Sequence, residues 1–230
     1  MQIKSIVLFS GGLDSTTCLF WALKKNSQNP NSILALSFDY HQKHSIELQK
    51  AKAIAKELRI QHLIFRLDAR LFLGSSLVDK TIRVPKNKVD AHTRNQTIPN
   101  TYVPGRNLLL LSHAVSLAEG KGAKEVIIGV NALDYSGYPD CRPAFIQSFQ
   151  KTSELGTKQG VETKQKDKIR IVTPLQEMTK KEIIVLGKKL QVPFSKTHSC
   201  YDPVRGKPCG TCDSCILRKR GFEEAGILDK

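Results

Sequence analysis

Long hydrophobic runs are missing from this chain of 230 residues. The longest apolar stretches are SIVLF, LLLL and VIIGV, whereas a membrane-spanning helix needs about 20 apolar residues. Residues 1–9 are typical of a strand rather than of an export signal, in which a basic segment precedes an apolar one. We therefore expect no membrane segment and a cytoplasmic location.

Acidic residues are few: 21 Asp and Glu stand against 36 Lys and Arg, which gives a formal net charge of +15 at pH 7. Such a charge is typical of a nucleic-acid-binding protein or of a lysine-rich solvated surface. The lysines are spread along the chain, without the aromatic and basic interleaving of a nucleic-acid-binding module. We favour the solvated surface, expect that no direct nucleic-acid partner is required, and leave open whether the chain forms a homodimer.

Two familiar nucleotide-binding loops are also absent. No Gly-Lys pair is followed by Ser or Thr, which excludes a Walker loop, and no G-x-G-x-x-G dinucleotide fingerprint occurs. Instead, residues 9–16 read FSGGLDST, between the strand-like KSIVLF and the helical pattern STTCLFWALKK. A strand-to-helix turn of this kind presents unpaired N–H groups and the positive end of the helix dipole, which favour a phosphate. Ser15 or Thr16 is placed to cap the helix.

The residue types of this turn suit a phosphate ligand. Gly11 and Gly12 let the backbone approach the ligand closely. Asp14 can orient Mg²⁺ or a hydroxyl group. Hydroxyl and N–H donors come from Ser10, Ser15 and Thr16.

Strand-like and helical runs alternate along the first 190 residues. The strand-like runs are Ile3–Phe9, Ile33–Phe38, His62–Leu67, Glu125–Asn131 and Ile169–Thr173. Helical patterns cover Thr16–Lys25, Ser45–Leu58, Leu108–Glu119, Pro143–Leu155 and Thr179–Leu190, the last opening with the capping-box pattern TKKE. Alternation of this kind predicts an α/β fold with an open parallel sheet and helices on both faces. We expect residues 1–190 to form this domain and 191–230 a small metal-binding lobe packed on it.

Two stretches break the alternation, residues 74–105 and 155–168. Long connections in compact domains are often functional. We expect both to border a site at the carboxyl edge of the sheet, where open α/β folds bind ligands.

Four of the six cysteines fall close together near the end of the chain, in the pattern C-x₈-C-x₂-C-x₂-C. In a reducing compartment such a cluster indicates a metal site rather than a disulfide framework. A closed tetrahedral zinc site is the favoured prediction, and an iron–sulfur cluster is the alternative. His198 competes with the first cysteine as a ligand, whereas Cys18 and Cys141 are expected to be buried or to line the site. The predicted ligands are Cys200, Cys209, Cys212 and Cys215.

The strand–SGGLDS–helix unit resembles the pyrophosphate loop of the ATP pyrophosphatases, which are similar in fold to the adenine-nucleotide α-hydrolases. The resemblance implies that ATP is split to AMP and pyrophosphate, with the loop holding the β- and γ-phosphates. It implies nucleotide contacts by Phe9, Ser10, Gly11, Gly12, Leu13, Asp14, Ser15, Thr16, Thr17, Cys18 and Leu19.

Further stretches resemble the 7-cyano-7-deazaguanine synthase family of the queuosine pathway over nearly the whole chain. They are FDYHQKHSIEL (38–48), VPGRN (103–107), NALDYSGYPDCRPAF (131–145), TPLQEMTKKEI (173–183) and SCY with CGTCDSCILRKRGF (199–222). The resemblance implies a ligase that converts 7-carboxy-7-deazaguanine and ammonia into the nitrile by two adenylations, first of the carboxylate and then of the amide. It also implies ATP, Mg²⁺ and one Zn²⁺ per chain.

Within this resemblance we predict catalytic roles for Asp14, Ser15, Arg106 and Asn107. Substrate binding is predicted for Tyr135, Asp140 and Arg142, with Tyr138 as another ring that can stack on the base. His41 and His44 can take a proton from ammonium but are more simply explained as solvated residues.

Two other functions stay open: a tRNA-thiolating ATP pyrophosphatase, whose phosphate contacts would explain the positive charge, and a zinc-ribbon module that binds nucleic acid.

Overall fold

Five parallel strands form one sheet in the computed structural model, which describes residues 2–40, 45–89, 98–131 and 137–229. In the described residues the spatial order is β3-β2-β1-β4-β5, and every neighbouring pair is parallel. The strands are β1 (Ser5–Leu8), β2 (Ile33–Asp39), β3 (Gln61–Arg66), β4 (Glu125–Ile127) and β5 (Arg170–Val172). The predicted open parallel sheet is thereby confirmed.

Helices cover both faces of the sheet, as predicted. They are α1 (Leu13–Lys25), α2 (Ile46–Glu57), α3 (Arg106–Lys121), α4 (Pro143–Gly156), α5 (Lys158–Glu162), α6 (Lys180–Lys189) and α7 (Asp213–Ala225). Val7 and Ala35 pack in one core with α1, α2 and α6, whereas Ile6 and Leu34 pack in a second core with α3 and α4. This alternation follows from the two-residue period of a strand.

The strand order places a topological switch point beside β1. The chain fills one side of β1 with β2 and β3 and then crosses to the other side with β4 and β5. Connections that leave β1 and β4 therefore diverge at the carboxyl edge and open a crevice between them. Ligands of open α/β folds bind in this crevice.

The start of α1 differs from the prediction, whereas the start of α6 agrees with it. Helix α1 begins at Leu13 with Gly12 as its N-cap, so the predicted capping by Ser15 or Thr16 is wrong. Both hydroxyls lie inside the first turn and donate to the Gly12 carbonyl, at 3.2 and 2.7 Å. The predicted capping box of α6 is confirmed, because Thr179 and Glu182 exchange side-chain and backbone hydrogen bonds.

The expectation that residues 155–168 border the carboxyl edge is wrong. This segment precedes β5 and therefore reaches the sheet at its amino edge. Gln159 N–H donates to Glu119 Oε1 at 2.8 Å, near the end of α3, and Lys124 Nζ donates to Asp167 at 2.5 Å, just before β4. Leu77, which belongs to the other long stretch (residues 74–105), lines a cavity at the carboxyl edge of the sheet, as predicted.

Residues after 190 share a core with the sheet domain. Phe194 and Phe222 pack in the same cluster as Leu19 and Ile183. Helices α6 and α7 approach so closely that a Cβ on Gly221 would lie 2.5 Å from Lys180 Cγ. The proposed division at residue 190 stays a prediction. Among the described residues, no helix combines the length and the apolar character needed to cross a bilayer.

Candidate active site

The turn between β1 and α1 is fixed by a close backbone approach. Gly11 has a φ of +86°, and a Cβ at this position would lie 2.7 Å from the Ala51 N atom of α2. Both the left-handed conformation and the contact with α2 therefore require glycine here. His198 N–H donates to the Gly11 carbonyl at 3.1 Å, which ties the turn to the residues before the cysteine cluster.

Two serine hydroxyls hold the turn in shape. Ser10 Oγ and Ser15 Oγ lie 3.0 Å apart, and the Ser10 N–H donates to Ser15 Oγ at 3.2 Å. Gly12 N–H donates to Ser10 Oγ, also at 3.2 Å. The N-terminus of α1 and these hydroxyls lie at the carboxyl edge of β1, which is a suitable arrangement for an anion.

Asp14 forms an ion pair that sequence reasoning missed. Lys180 Nζ donates to both Asp14 carboxylate oxygens, at 2.8 and 2.9 Å. The Lys180 side chain is only 11% exposed and its stem packs against Gly221. No local pattern indicates this pair, because its partners are 166 residues apart and meet only through the packing of α6 on α1.

Arg106 and Asn107 open α3 at the rim of the same crevice. Gly105 precedes them as the N-cap, with a φ of +61°. The carboxylate of buried Asp140 accepts the Asn107 backbone N–H at 3.0 Å, and Asn107 Nδ2 donates to the Asp140 carbonyl at 3.2 Å. Burial alone would lower the pKa of Arg106, but Tyr40 and Asp140 raise it above its ordinary value, so the guanidinium stays charged.

A cavity of about 290 Å³ joins these parts at the switch point. The predicted site residues that line it are Phe9, Ser10, Gly12, Leu13, Asp14, Ser15, Arg106 and Asn107. Tyr138 also lines it and shares a 2.7 Å hydrogen bond with Thr101.

Several predicted contacts lie elsewhere. Thr16, Thr17, Cys18 and Leu19 are fully buried beneath the turn, because the helix carries them away from the cavity into the core. Arg142 is exposed at the start of α4, and Asp140 contacts Asn107 without lining the cavity. Tyr135, His41 and His44 lie outside the described residues. Side chains of the cavity wall that sequence reasoning did not single out as site residues include Tyr40, Glu47, Lys180 and Arg218.

The four predicted metal ligands come together. Their sulfur atoms all lie within 4.8 Å of one another, and the group consists of Cys200, Cys209, Cys212 and Cys215. Backbone N–H groups point at the sulfurs: those of Asp202 and Cys209 donate to Cys200 Sγ at 3.3 and 3.2 Å. His198 is not part of the cluster. The cluster adjoins the cavity, which Cys200 itself lines.

Lys86 adds a positive charge to the cysteine cluster. Its Nζ donates to Cys209 Sγ at 3.4 Å and to Asp202 at 2.7 Å. Such a charge offsets part of the negative charge of four thiolates. The cluster can therefore bind a metal ion, with support from the long stretch after β3.

Comparison with known proteins identifies the family of this chain. A family model described as "Queuosine biosynthesis protein QueC" matches residues 4–226. The chain belongs to this family. A relative from Leptospira biflexa serovar Patoc, named 7-cyano-7-deazaguanine synthase, is 61% identical over 98% of this chain and 92% of its own length. A second relative with the same name, from Leptospira interrogans serogroup Icterohaemorrhagiae serovar copenhageni, is 56% identical over 99% of this chain and 89% of its own.

Among solved structures, the chain resembles an NMN synthetase from Francisella tularensis, with a TM-score of 0.50 and 16% identity. The match covers 100% of this chain and 79% of the other, and it supports the fold alone. The predicted family is confirmed. The names of both relatives support the synthase and not the tRNA-thiolating alternative.

Proposed function

We propose that the QueC-family chain converts 7-carboxy-7-deazaguanine and ammonia into 7-cyano-7-deazaguanine, consuming two ATP. The observation that carries this proposal is that the SGGLDS turn and the residues of the VPGRN motif line one cavity at the switch point of the sheet. Both relatives described above carry the name of this synthase. The substrates are small molecules, and no step requires nucleic acid.

The turn after β1 is proposed to hold the phosphates of ATP. Gly12 N–H, the hydroxyls of Ser10 and Ser15 and the N-terminus of α1 lie together at the cavity wall, where they favour a pyrophosphate group. Asp14 is the carboxylate beside this turn and would hold Mg²⁺ that accompanies ATP. Lys180 keeps Asp14 oriented and adds positive charge for the phosphates.

Adenylation is proposed because a nitrile forms from an acid by two dehydrations, and each needs an oxygen that can leave. Attack of the substrate carboxylate on the α-phosphorus releases pyrophosphate, and ammonia then displaces AMP to give the amide. A second adenylation activates the amide oxygen, and loss of AMP gives the nitrile. This sequence needs no protein nucleophile, because bound substrates are oriented for direct attack.

Arg106 is proposed to bind the substrate carboxylate or the α-phosphate, because it is the charged guanidinium at the start of α3 in the cavity wall. Asp140 is proposed to position Asn107 and Arg106 rather than to contact the base, since its carboxylate already accepts the Asn107 N–H. Tyr138 can stack on the base. Substrate contacts by Tyr135 and by exposed Arg142 stay predictions.

Zinc is the metal we propose for the cysteine cluster. Tetrahedral bonds of about 2.3 Å place thiolate sulfurs about 3.8 Å apart, which fits four sulfur atoms that lie within 4.8 Å of one another. When bound, zinc would stabilise the loop that carries Cys200 and thus one wall of the cavity. Because free thiols persist in a reducing compartment, we place the enzyme in the cytoplasm.

The reaction is tested with purified protein, Mg-ATP, ammonium and 7-carboxy-7-deazaguanine, followed by mass spectrometry. We expect conversion to the nitrile with two AMP and two pyrophosphate released per product. Release of ADP and phosphate, or AMP without change in the base, would contradict the proposal.

A pair of variants links this activity to the cavity. Ser15→Ala removes the hydroxyl that shapes the turn and should reduce AMP release by about tenfold or more. Ser112→Ala removes an exposed hydroxyl on α3 that bonds only within its own helix, and should leave the rate unchanged. Equal rates in both variants would argue against a role for the turn in holding ATP.

A further inference from the structure

Glu47 is a second carboxylate in the wall of the central cavity. It lies in the first turn of α2, whose backbone packs directly against Gly11 of the turn between β1 and α1, residues 9–12, which is called the phosphate turn below. Among the described residues, Asp14 and Glu47 are the carboxylates that line the cavity. Asp14 is bound through both oxygens by Lys180. Glu47 is the other carboxylate of this wall.

The surroundings of Glu47 favour its protonated form near neutral pH. Burial raises the pKa of Glu47 from 4.5 to about 7, although Arg106 acts in the opposite direction. The position of Glu47 at the N-terminus of α2 also opposes the increase in its pKa, because the helix dipole stabilises a negative charge there. In the described part of the chain, the other charged and titratable groups of the cavity wall are Asp14 on α1, Tyr40 after β2, Arg106 on α3, Tyr138 and Cys141 before α4, Lys180 on α6, His198, Cys200 and Tyr201 at the cysteine cluster, and Arg218 on α7.

The proposed reaction needs a base at this place. Ammonium carries no lone pair, so it must lose a proton before its nitrogen can attack the acyl adenylate. A base that works near neutral pH is most effective when it exchanges protons close to that pH. A carboxylate that faces a partly apolar cavity also attracts the ammonium cation itself.

We propose that Glu47 binds ammonium and acts as the general base that generates ammonia in the cavity, an inference that rests on the proposed function. One N–H proton passes from ammonium to the Glu47 carboxylate. The freed lone pair forms the C–N bond with the acyl carbon, and the C–O bond to AMP breaks, its electron pair leaving on the AMP phosphate. Glu47 returns its proton to water, and the second proton from nitrogen also passes to solvent.

The test separates activation of the acid from use of ammonium. Exchange of labelled pyrophosphate into ATP, with 7-carboxy-7-deazaguanine present and ammonium absent, reports the first adenylation alone. Amide and nitrile formation with ammonium, from pH 5.5 to 9, reports the second step. We expect Glu47→Gln to keep exchange within about twofold of wild type and to lose about 100-fold in ammonium-dependent turnover near pH 7.

The pH profile provides a signature that a merely structural role would not produce. Wild-type turnover should rise with pH and level off above about 7 as Glu47 ionises. Glu47→Gln should instead rise continuously with pH, because free ammonia replaces the missing base. Glu57→Gln, on the exposed end of α2, serves as the matched control and should behave as wild type.

Each other outcome is decisive. A wild-type profile in Glu47→Gln would assign proton transfer to another group, such as His198, and overturn the inference. Loss of exchange together with turnover would place Glu47 in adenylation or folding and overturn it as well. Absence of exchange in the wild-type enzyme would overturn the proposed function itself. Titration of the wild-type Glu47 carboxyl carbon by NMR needs no variant, and a pKa near 4 would also contradict the inference.

Discussion

Single residues at the phosphate turn act through tertiary contacts that are far apart in sequence. Gly11 is required by α2, Asp14 is held by Lys180, and the Gly11 carbonyl accepts the His198 N–H. The sequence indicated that these positions bind phosphate, because glycines, hydroxyls and a carboxylate follow a buried strand. It did not single out Glu47 or Lys180, although both lie in stretches that carry the family resemblance, because the groups that surround them in space are distant in sequence.

Replacement of Gly11 separates backbone strain from steric conflict. Gly11→Ala places a methyl group against the backbone of α2, in addition to the cost of a left-handed alanine. Gly74 has a φ of +90°, and no atom lies within 4 Å of a Cβ built there, so Gly74→Ala introduces the backbone strain without a steric conflict. We expect losses in the free energy of unfolding of about 3 kcal/mol or more for Gly11→Ala and about 1 kcal/mol for Gly74→Ala. Urea unfolding measures both, and equal losses would argue against the contact with α2.

Removal of the Lys180 charge should affect the nucleotide more than the fold. In Lys180→Met the Asp14 carboxylate loses both of its hydrogen bonds from Nζ, so in the proposed complex neither Mg²⁺ nor the phosphates would be oriented. We expect AMP release to fall by about 100-fold. Lys181→Met, at the exposed neighbouring position, should retain the wild-type rate. Similar rates in the two variants would contradict the role given to the ion pair.

At the scale of elements, the alternation of strands and helices predicted the sheet and its two covered faces, because buried parallel strands and amphipathic helices have distinct periods. The ends of elements were less predictable. The prediction extended β4 to Asn131, but the strand ends at Ile127, and a Cβ on Gly129 would lie 3.2 Å from the Ser15 N atom of α1. The close approach of Gly129 to α1 depends on the tertiary packing, which no local pattern contains.

Lys86 connects the long stretch after β3 to the cysteine cluster. Lys86→Met removes the positive charge beside Cys209, which leaves more of the thiolate charge uncompensated. We expect the affinity for zinc to fall by about tenfold. Competition with a chromogenic chelator measures the affinity, and Lys88→Met, with an exposed side chain, is the matched control. An unchanged affinity in Lys86→Met would show that the contact with Cys209 does not stabilise the bound metal.

The whole molecule combines a strongly basic surface with a cavity that buries acidic groups. Its net charge of +15 finds no use in the proposed reaction, which involves only small molecules. The family resemblance implied the chemistry that we propose for the cavity, whereas the net charge favoured a solvated surface and left a nucleic-acid partner open. The net charge of a chain does not reveal where individual charged groups lie. In this basic protein, for example, the Glu47 carboxylate lines the cavity.

The pH dependence of stability tests the buried state of Glu47. Because its pKa in the folded protein, about 7, exceeds the unfolded value near 4.5, the folded state binds the proton more tightly. The free energy of unfolding should therefore fall as pH rises from about 4.5 to 7 and then level off. The Glu47→Gln variant has no carboxyl group to titrate at this position. Between pH 5 and 8, its free energy of unfolding should therefore rise relative to that of wild type by on the order of 1 to 3 kcal/mol. A difference that is constant with pH in urea titrations would contradict the assignment.

The hydrogen bond from His198 to Gly11 joins an early and a late part of the sequence at the cavity. During translation the turn between β1 and α1 leaves the ribosome well before Lys180, His198 and Arg218, which line the same cavity. The nascent chain therefore carries the proposed nucleotide site in unfinished form until these residues are added. Stalled products that lack them should bind no ATP at this site.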